Sequence, residues 1–296
     1  MAISLFHNEQ QSKPILLREY ENRATAQLTK AAIDSPRLCA QAILGHVLGL
    51  TRLQCVLEAM RPLSQTEQNA AAALLSRRAA GEPLAHLLGY KEFYGRNFAV
   101  TADTLIPRPE TELLIELALK LLPASTPMLF ADLGTGTGCI AITLACERSH
   151  WQGLALDISP SAVSIACRNA QAWQTEKRLA VVWADMTAVP LTEGSCKLVV
   201  GNPPYIAEEE RPQIMDEVLR FEPHSALFSS DAGLAHLTTS AQEASRLLQT
   251  GGLVLLEHGA TQGAAVRDIL NRQGFADVET HCDLAGLDRV ASGWKK

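Results

Sequence analysis

The chain has 296 residues, 47% of them apolar and 20% charged, with a formal net charge of −6. That composition calls for a packed core, enough for one large or two ordinary domains, and argues against extensive disorder. No apolar run approaches the roughly 20 residues of a membrane-spanning helix, and the first residues lack the basic-then-apolar order of a secretory signal, so a cytoplasmic protein is expected.

Residues 1–12 are polar and aperiodic and read as a loose tail. From Pro14 to Ala80 the pattern is helical: Leu16, Leu17, Tyr20, Ala24 and Leu28 recur at three- and four-residue spacing. Asp34-Ser35-Pro36 stops one helix and starts the next, and Gly49 ends the second. Thr51 can cap a third, and Ser64 with Glu67 reads as a capping box for a fourth. The bundle carries no recognisable chemistry; it reads equally well as a structural lid and as a substrate-docking surface. From Glu92 to Pro107 the period changes, and Phe93, Phe98, Val100 and Leu105 among Gly, Asn and Asp predict a β-hairpin linker. A helix is expected over Glu110 to Leu122.

Strands and helices then alternate. Strands are predicted at Met128–Asp132, Gly153–Asp157, Leu179–Ala184, Lys197–Gly201 and Leu253–Glu257, with two more near Ala276–Thr280 and Asp288–Ser292. Helices are predicted from Cys139, over Pro160–Trp173, Ala232–Leu248 and Gln262–Gln273. Repeated β–α units imply an α/β domain whose parallel sheet has helices on both faces. Ligands in such sheets bind at the carboxyl ends of the strands, near the switch in strand order. The expected organisation is residues 1–90 as a helical docking domain, 91–109 as the hairpin linker and 110–296 as the catalytic domain.

Charge and cysteines narrow the partners. Up to Gly95 there are ten Lys and Arg against eight Asp and Glu; beyond it there are 16 against 24. An acidic catalytic half suits a phosphate backbone poorly, so no stable nucleic-acid partner is expected. None of the seven cysteines forms a C-x-x-C pair and the eight histidines do not cluster with them, so no metal site is supported and reduced thiols are expected.

The strongest cofactor signal is Asp132-Leu133-Gly134-Thr135-Gly136-Thr137-Gly138, between a predicted strand and helix. Glycines there permit a tight turn and close approach of a ligand to the backbone. Asp157, ending the next strand, can accept hydrogen bonds from a ribose diol. Three readings stand: a plain glycine turn, a dinucleotide site and an S-adenosylmethionine site. The G-x-G-x-G spacing departs from the dinucleotide fingerprint G-x-G-x-x-G.

Asn202-Pro203-Pro204-Tyr205, directly after the fourth strand, is more specific. An amide nitrogen is a feeble nucleophile because its lone pair is delocalised into the carbonyl. To attack a methyl group it must be gripped. The Asn202 side-chain oxygen and the Pro203 carbonyl can accept the two amide hydrogens, the prolines hold these acceptors rigid, and Tyr205 offers a flat face to the planar group. In this set Asn202, Pro203 and Tyr205 are the candidate catalytic residues, and Pro204 completes the substrate-binding four.

Gly81-Glu82-Pro83-Leu84, Glu92-Phe93-Tyr94-Gly95, Leu105-Ile106-Pro107-Arg108-Pro109-Glu110-Thr111-Glu112, the glycine loop, Asn-Pro-Pro-Tyr and Asp283 to Arg289 together resemble the HemK/PrmC family, the bacterial release-factor glutamine methyltransferases. The resemblance covers nearly all of the chain after the tail. It implies a seven-stranded Rossmann-like methyltransferase sheet behind a small helical bundle. It also implies S-adenosyl-L-methionine as cofactor, with S-adenosyl-L-homocysteine as product. The cofactor residues would be Gly134, Thr135, Gly136, Thr137, Gly138 and Asp157, with Met186 and Asn202 beside them. The implied acceptor is the glutamine of the Gly-Gly-Gln loop of class-1 peptide chain release factors.

Three positions depart from the family pattern. Met186 follows Asp185 where an aromatic residue is usual, Lys197 replaces an acidic residue, and His258 replaces an aliphatic one. Competing functions are glutamine methylation of a large-subunit ribosomal protein, adenine N6-methylation of nucleic acid, and a non-catalytic cofactor-binding module.

Overall fold

The computed structural model describes residues 14–296; the tail expected over residues 1–12 lies outside the described residues. The chain divides into two compact units, with the boundary between Leu88 and Gly89.

Among the described residues the first unit holds five helices: α1 (Leu17–Lys30), α2 (Pro36–Leu48), α3 (Arg52–Leu57), α4 (Gln65–Ala79) and α5 (Leu84–Leu88). Capping side chains set their starts. Ser64 accepts the Glu67 amide while Glu67 accepts that of Ser64 at 2.8 Å, and Thr51 with Gln54 repeats the arrangement. Leu17, Leu44, Cys55, Leu63 and Ala71 form one core cluster, and Ala24, Leu28, Ile43, Leu75 and Leu87 belong to another. The turn α5 lacks a sequence signal of its own, since five residues show less than two helical periods.

The second unit opens with a hairpin of β1 (Tyr90–Phe93) and β2 (Arg96–Ala99). Tyr94 and Gly95 both take positive φ, 49° and 72°, so the two-residue turn is of the type that matches strand twist. Tyr94 has a Cβ and tolerates this conformation with its amide bonded to Glu112 Oε1 at 2.8 Å. Phe93 and Phe98 are buried edge to face in the core of the unit. The stretch from Asp103 to Pro107, expected as part of the hairpin, is irregular instead.

After α6 (Glu112–Leu121) come β3 (Met128–Leu133), α7 (Cys139–Glu147), β4 (Trp151–Asp157), α8 (Pro160–Ala172), β5 (Leu179–Trp183) and β6 (Cys196–Gly201). Then follow α9 (Asp216–Phe221), α10 (Ala235–Leu247), β7 (Leu248–Glu257), α11 (Gly263–Arg272), β8 (Phe275–Cys282) and β9 (Asp288–Lys295). The sheet order is β5-β4-β3-β6-β7-β9-β8. Five strands are parallel, whereas β9 runs antiparallel to both neighbours. A parallel neighbour needs a long crossover, and only a tight turn at Asp283 to Leu287 joins β8 to β9, so the chain must reverse.

Burial on both faces explains the continuous apolar strands. Leu198, Val200, Leu253 and Leu255 pack with Leu114 and Ile115 of α6 and with Ile140 and Leu144 of α7. Their neighbours Val199, Val254 and Leu256 face the other way, onto Leu237 and Ala241 of α10 and Val266 of α11. Among the described residues no helix is long and apolar enough to cross a membrane.

Buried Asn169 on α8 joins three segments. Its Oδ1 accepts the Ala99 amide at 2.8 Å, and its Nδ2 donates to the carbonyls of Ala99 and Thr137 at 3.1 and 2.8 Å. The hairpin and the loop after β3 are thereby fastened to one helix. Asn169→Ala leaves these backbone groups unpaired and should lower the unfolding free energy by at least about 1–3 kcal/mol. Urea denaturation monitored by circular dichroism measures this.

Candidate active site

The strand order reverses between β3 and β6, and the loops leaving these two strands meet across that gap. After β3 the chain turns through Gly134 to Gly138 into α7. Asp132, fully buried, accepts the Thr135 hydroxyl at 2.6 Å, while its Oδ1 has no partner among the described residues. Burial pushes the Asp132 carboxyl up to about 7, against the hydrogen bonds from Thr135 and the Ala141 amide. Gly138 has φ +81°, and a Cβ there would lie 2.8 Å from Ile142 Cδ1. It therefore packs the start of α7, while Gly134, Thr135, Gly136 and Thr137 line a cavity at the strand ends.

Asp157 ends β4 and faces the same cavity. Its Oδ2 accepts the Gly136 amide and its Oδ1 the Ser159 amide, each at 2.9 Å. Each carboxylate oxygen can accept more than one hydrogen bond, so acceptor capacity remains. Beyond β5, Met186 lines the cavity with its sulfur 3.6 Å from the Ser240 hydroxyl. His236 lines it as well, its Nδ1 2.8 Å from Ser229 Oγ.

Glu222 closes one side. Its buried carboxylate accepts the Ile106 amide at 2.9 Å and the Arg108 guanidinium at 2.6 Å. The loop before α6 and the loop after α9 are held together in this way, and both contribute to the cavity wall.

Asn202 follows β6 and lines this cavity and a second one. The second is bounded by Pro203, Tyr205, Ile206, Ile214 and Met215, and Leu105, Arg108 and Ala226 are common to both. Asn202 Nδ2 donates to Thr111 Oγ1 at 3.2 Å, and the Tyr205 hydroxyl donates to Glu257 Oε1 at 3.2 Å. Glu257, ending β7, is buried, and desolvation pushes its carboxyl up to about 7 against the hydrogen bonds from Thr111 and Tyr205. Burial and the nearby Glu257 raise the Tyr205 phenol.

Most of the residues singled out in the sequence thus lie around two adjoining cavities. Pro204 lines the first, Pro203 and Tyr205 the second, and Gly138 neither. Thr111, Glu257, Glu222 and His236 were not read as site residues. Glu257 alone had a local signal: like Asp157, it is an acidic residue closing an apolar strand. Lys197 donates to the Gly251 carbonyl, and buried His258 sits 2.8 Å from the Gly259 carbonyl through Nδ1.

The cavity suits S-adenosylmethionine. Glycine amides and an acceptor carboxylate border it, apolar Ile158 and Met186 flank it, and among the described residues Arg108 is its one permanently cationic lining residue. A seven-stranded sheet with this order and this loop defines an S-adenosylmethionine-dependent methyltransferase, and a methyltransferase small domain model matches residues 111–249. A PrmC N-terminal domain model matches residues 19–89. The chain belongs to the family of release factor glutamine methyltransferases. It is 46% identical to the one of that name from Nitratidesulfovibrio vulgaris, over 90% of each chain. It is 42% identical to that of Salmonella typhimurium (88% of this chain, 92% of the relative) and 41% identical to that of Escherichia coli (88% and 93%). The solved hMettl16 catalytic domain in complex with MAT2A 3′UTR hairpin 6 shares the fold, with 18% identity and a TM-score of 0.56 over 75% of this chain and 81% of that one.

Two outcomes follow. Asp157→Ala should raise the dissociation constant for S-adenosylmethionine at least about tenfold, since a hydrogen bond to a charged group is worth roughly 1.5–3 kcal/mol; titration calorimetry reads it. Asp132 supplies a pH signature. Its folded pKa lies above the unfolded value, so between the ordinary carboxylate range and about pH 7 the folded state holds a proton that the unfolded chain releases. Stability therefore falls as pH rises through that window. Asp132→Asn should flatten this part of the curve, as checked by denaturation midpoints across pH 4–8.

Proposed function

We propose that this enzyme methylates the side-chain amide nitrogen, N5, of the glutamine in the Gly-Gly-Gln loop of a class-1 peptide chain release factor. The observation that carries the reading is Asn202 standing in the wall common to both cavities, with the glycine loop and Asp157 on one side and Pro203 and Tyr205 on the other. The names of the relatives, which make release factors the substrates of those enzymes, support it.

Bound S-adenosylmethionine supplies an activated methyl group on a sulfonium sulfur. Residues Gly134 to Thr137, Asp157 and Met186 hold it. Asn202 Oδ1 and the Pro203 carbonyl accept the two hydrogens of the acceptor amide and hold its nitrogen toward the first cavity. Tyr205 flanks the amide plane. Positioning and preorganised acceptors supply the catalysis, because charge develops on the nitrogen as it is alkylated. The surplus proton passes to water, and the site requires neither a covalent enzyme intermediate nor a general base.

Glycines flanking the acceptor suit entry into a cleft without side-chain clashes. The helical first unit serves as the docking domain for the release-factor body. The acidic balance after Gly95, 16 basic against 24 acidic residues, disfavours a nucleic-acid acceptor.

Methyl incorporation should be measured for a whole release factor, its Gln→Asn and Gln→Glu loop variants, a large-subunit ribosomal protein and duplex DNA. Only the intact release factor should label strongly. The Asn variant, one methylene shorter, should lose about 100-fold for a misplacement of about 1 Å. Strong labelling of DNA, or of the ribosomal protein alone, defeats the assignment. Asn202→Ala should lower kcat by about 100- to 1000-fold; turnover at the wild-type rate removes the amide grip.

A further inference from the structure

Residues 202–205 belong to no helix or strand, and the two prolines among them have no amide hydrogen with which to bond a neighbour. The segment is held instead through Tyr205, by the stretch that ends β7 and leads into α11. The Tyr205 hydroxyl donates to Glu257 Oε1 at 3.2 Å, and the Tyr205 backbone carbonyl accepts the Gln262 side-chain amide at 2.9 Å. Gln262, just before α11, does more than this. Its Nε2 also donates to the Ala232 carbonyl at 3.3 Å, and its Oε1 accepts the Gly259 amide at 2.9 Å. Its own backbone amide donates to the Gly259 carbonyl at 2.9 Å and closes the turn. One side chain thus ties together the Asn-Pro-Pro-Tyr segment, the turn before α10 and the end of β7.

The orientation of that amide is dictated by its partners. Its nitrogen faces two carbonyls, which only accept, and its oxygen faces an N–H, which only donates. Close packing reinforces the bonds. A Cβ on Gly233, where φ is +84°, would lie 2.1 Å from the Tyr205 carbonyl oxygen and 2.6 Å from Gln262 Nε2, so the turn before α10 closes directly over this contact. A Cβ on Gly259 would lie 3.0 Å from Gln262 Oε1 and 3.6 Å from Tyr205 Cδ2. Tyr205 is therefore fixed both as a backbone group and as a ring.

We infer that Gln262 is a positioning residue for methyl transfer: by locking the Tyr205 carbonyl to the turn after β7, it sets where the Asn202 and Pro203 acceptors stand. The inference rests on the reading that Asn202 and Pro203 grip the acceptor amide. One end of the segment is anchored where β6 pairs with β3 and β7, and Gln262 anchors the other, so the two prolines span fixed points. Gln262 itself lines neither cavity, so it acts through the segment and not on a ligand. Its side-chain bonds go to Tyr205, Ala232 and Gly259, none of them in the glycine loop or beside Asp157. Its loss should therefore reach the acceptor half of the site and spare the cofactor half.

The test compares Gln262→Met, Gln262→Glu, Asn202→Ala and the double variant Asn202→Ala with Gln262→Met, in the full-length enzyme with a whole release factor. Gln262→Met keeps the length and loses all three side-chain bonds, so kcat should fall about 10- to 100-fold, as for a misplaced reacting group. The dissociation constant of S-adenosylmethionine, read by titration calorimetry, should stay within about twofold of wild type, less than the worth of one hydrogen bond. Gln262→Glu keeps the acceptor for Gly259 but sets a carboxylate oxygen against two carbonyls, and kcat should fall at least as far. Once Asn202→Ala has removed the grip, adding Gln262→Met should cost less than about a further threefold, because the two residues act as one unit. A residue that merely stabilises the fold would give neither this split nor this coupling. Wild-type kcat in Gln262→Met or Gln262→Glu, beside an inactive Asn202→Ala, overturns the positioning role and leaves the amide grip standing. Cofactor affinity that falls in step with kcat, or fully additive losses in the double variant, also overturns it. Wild-type turnover in Asn202→Ala overturns the grip beneath it. If Gln262→Met fails to fold, Gln262→Asn, which keeps the amide and shortens its reach, makes the same comparison.

Discussion

A parallel sheet gathers the carboxyl ends of its strands along one edge, and the chemistry of this protein is hung from that edge. Asp132 and the glycine loop leave β3, Asp157 ends β4, Asp185 and Met186 follow β5, Asn202 follows β6, and Glu257 ends β7. Residues far apart in sequence meet there because the strand order reverses between β3 and β6, which leaves a gap that no crossover fills. The antiparallel pair β9 and β8 adds width to the sheet on the far side of β7. The rest of the second unit serves the edge. Asn169 fastens the hairpin and the glycine loop to α8, and Glu222 fastens the loop before α6 to the loop after α9.

Burial gives these carboxylates a rigidity that surface groups lack. Asp132 and Glu257 are both held inside the protein, and each has one oxygen without a hydrogen-bond partner among the described residues. Such groups cost stability, and desolvation raises both carboxyls to about 7. What they gain is a fixed orientation for the hydroxyls that donate to them: Thr135 on Asp132 and Tyr205 on Glu257. Asp157 works differently. Half-exposed to the cavity, it is held by two backbone amides, and those bonds shape the loop before any ligand arrives. One carboxylate thus orders the glycine loop and presents its remaining lone pairs to the cavity.

How much of this can be read from the chain depends on how local each signal is. The strands that carry the site are continuous apolar runs buried on both faces, so their existence was legible from composition within a short window. The seven-stranded architecture followed from the family resemblance. The glycine loop and Asn202 to Tyr205 were legible because their residue types are constrained at adjacent positions. Helix ends were less so: α10 begins at Ala235 and not at Ala232, because Asp231, Ala232 and Gly233 all take positive φ. Ala232 gave no warning, since alanine seldom takes that conformation, although Asp231 is of a type enriched there. Thr111 and Asn202 were illegible as partners for another reason: they lie 91 residues apart in sequence, and only the fold brings the hydroxyl within 3.2 Å of the amide. Met186 was legible as a departure, and its neighbour Ser240 was not.

The fold shared with the hMettl16 catalytic domain is a scaffold, and a scaffold by itself does not name the acceptor. A sheet edge with a glycine loop can present a methyl donor to many nucleophiles. Selection must then come from the groups on the acceptor side of Asn202. On the proposed reading that side is the second cavity, whose walls include Ile206, Ile214, Met215, Val218 and Leu227 with Gln213 and Arg108 among them. An apolar slot with few polar groups suits the methylenes of an extended side chain better than the edge of a purine, which carries several donors and acceptors that such walls leave unpaired. The polar recognition is concentrated at the end of the slot, where the prolines of Asn202-Pro203-Pro204 stiffen the backbone and the Asn202 amide meets whatever enters. On the proposed reading, the slot measures the length of the acceptor side chain and the asparagine tests its chemistry.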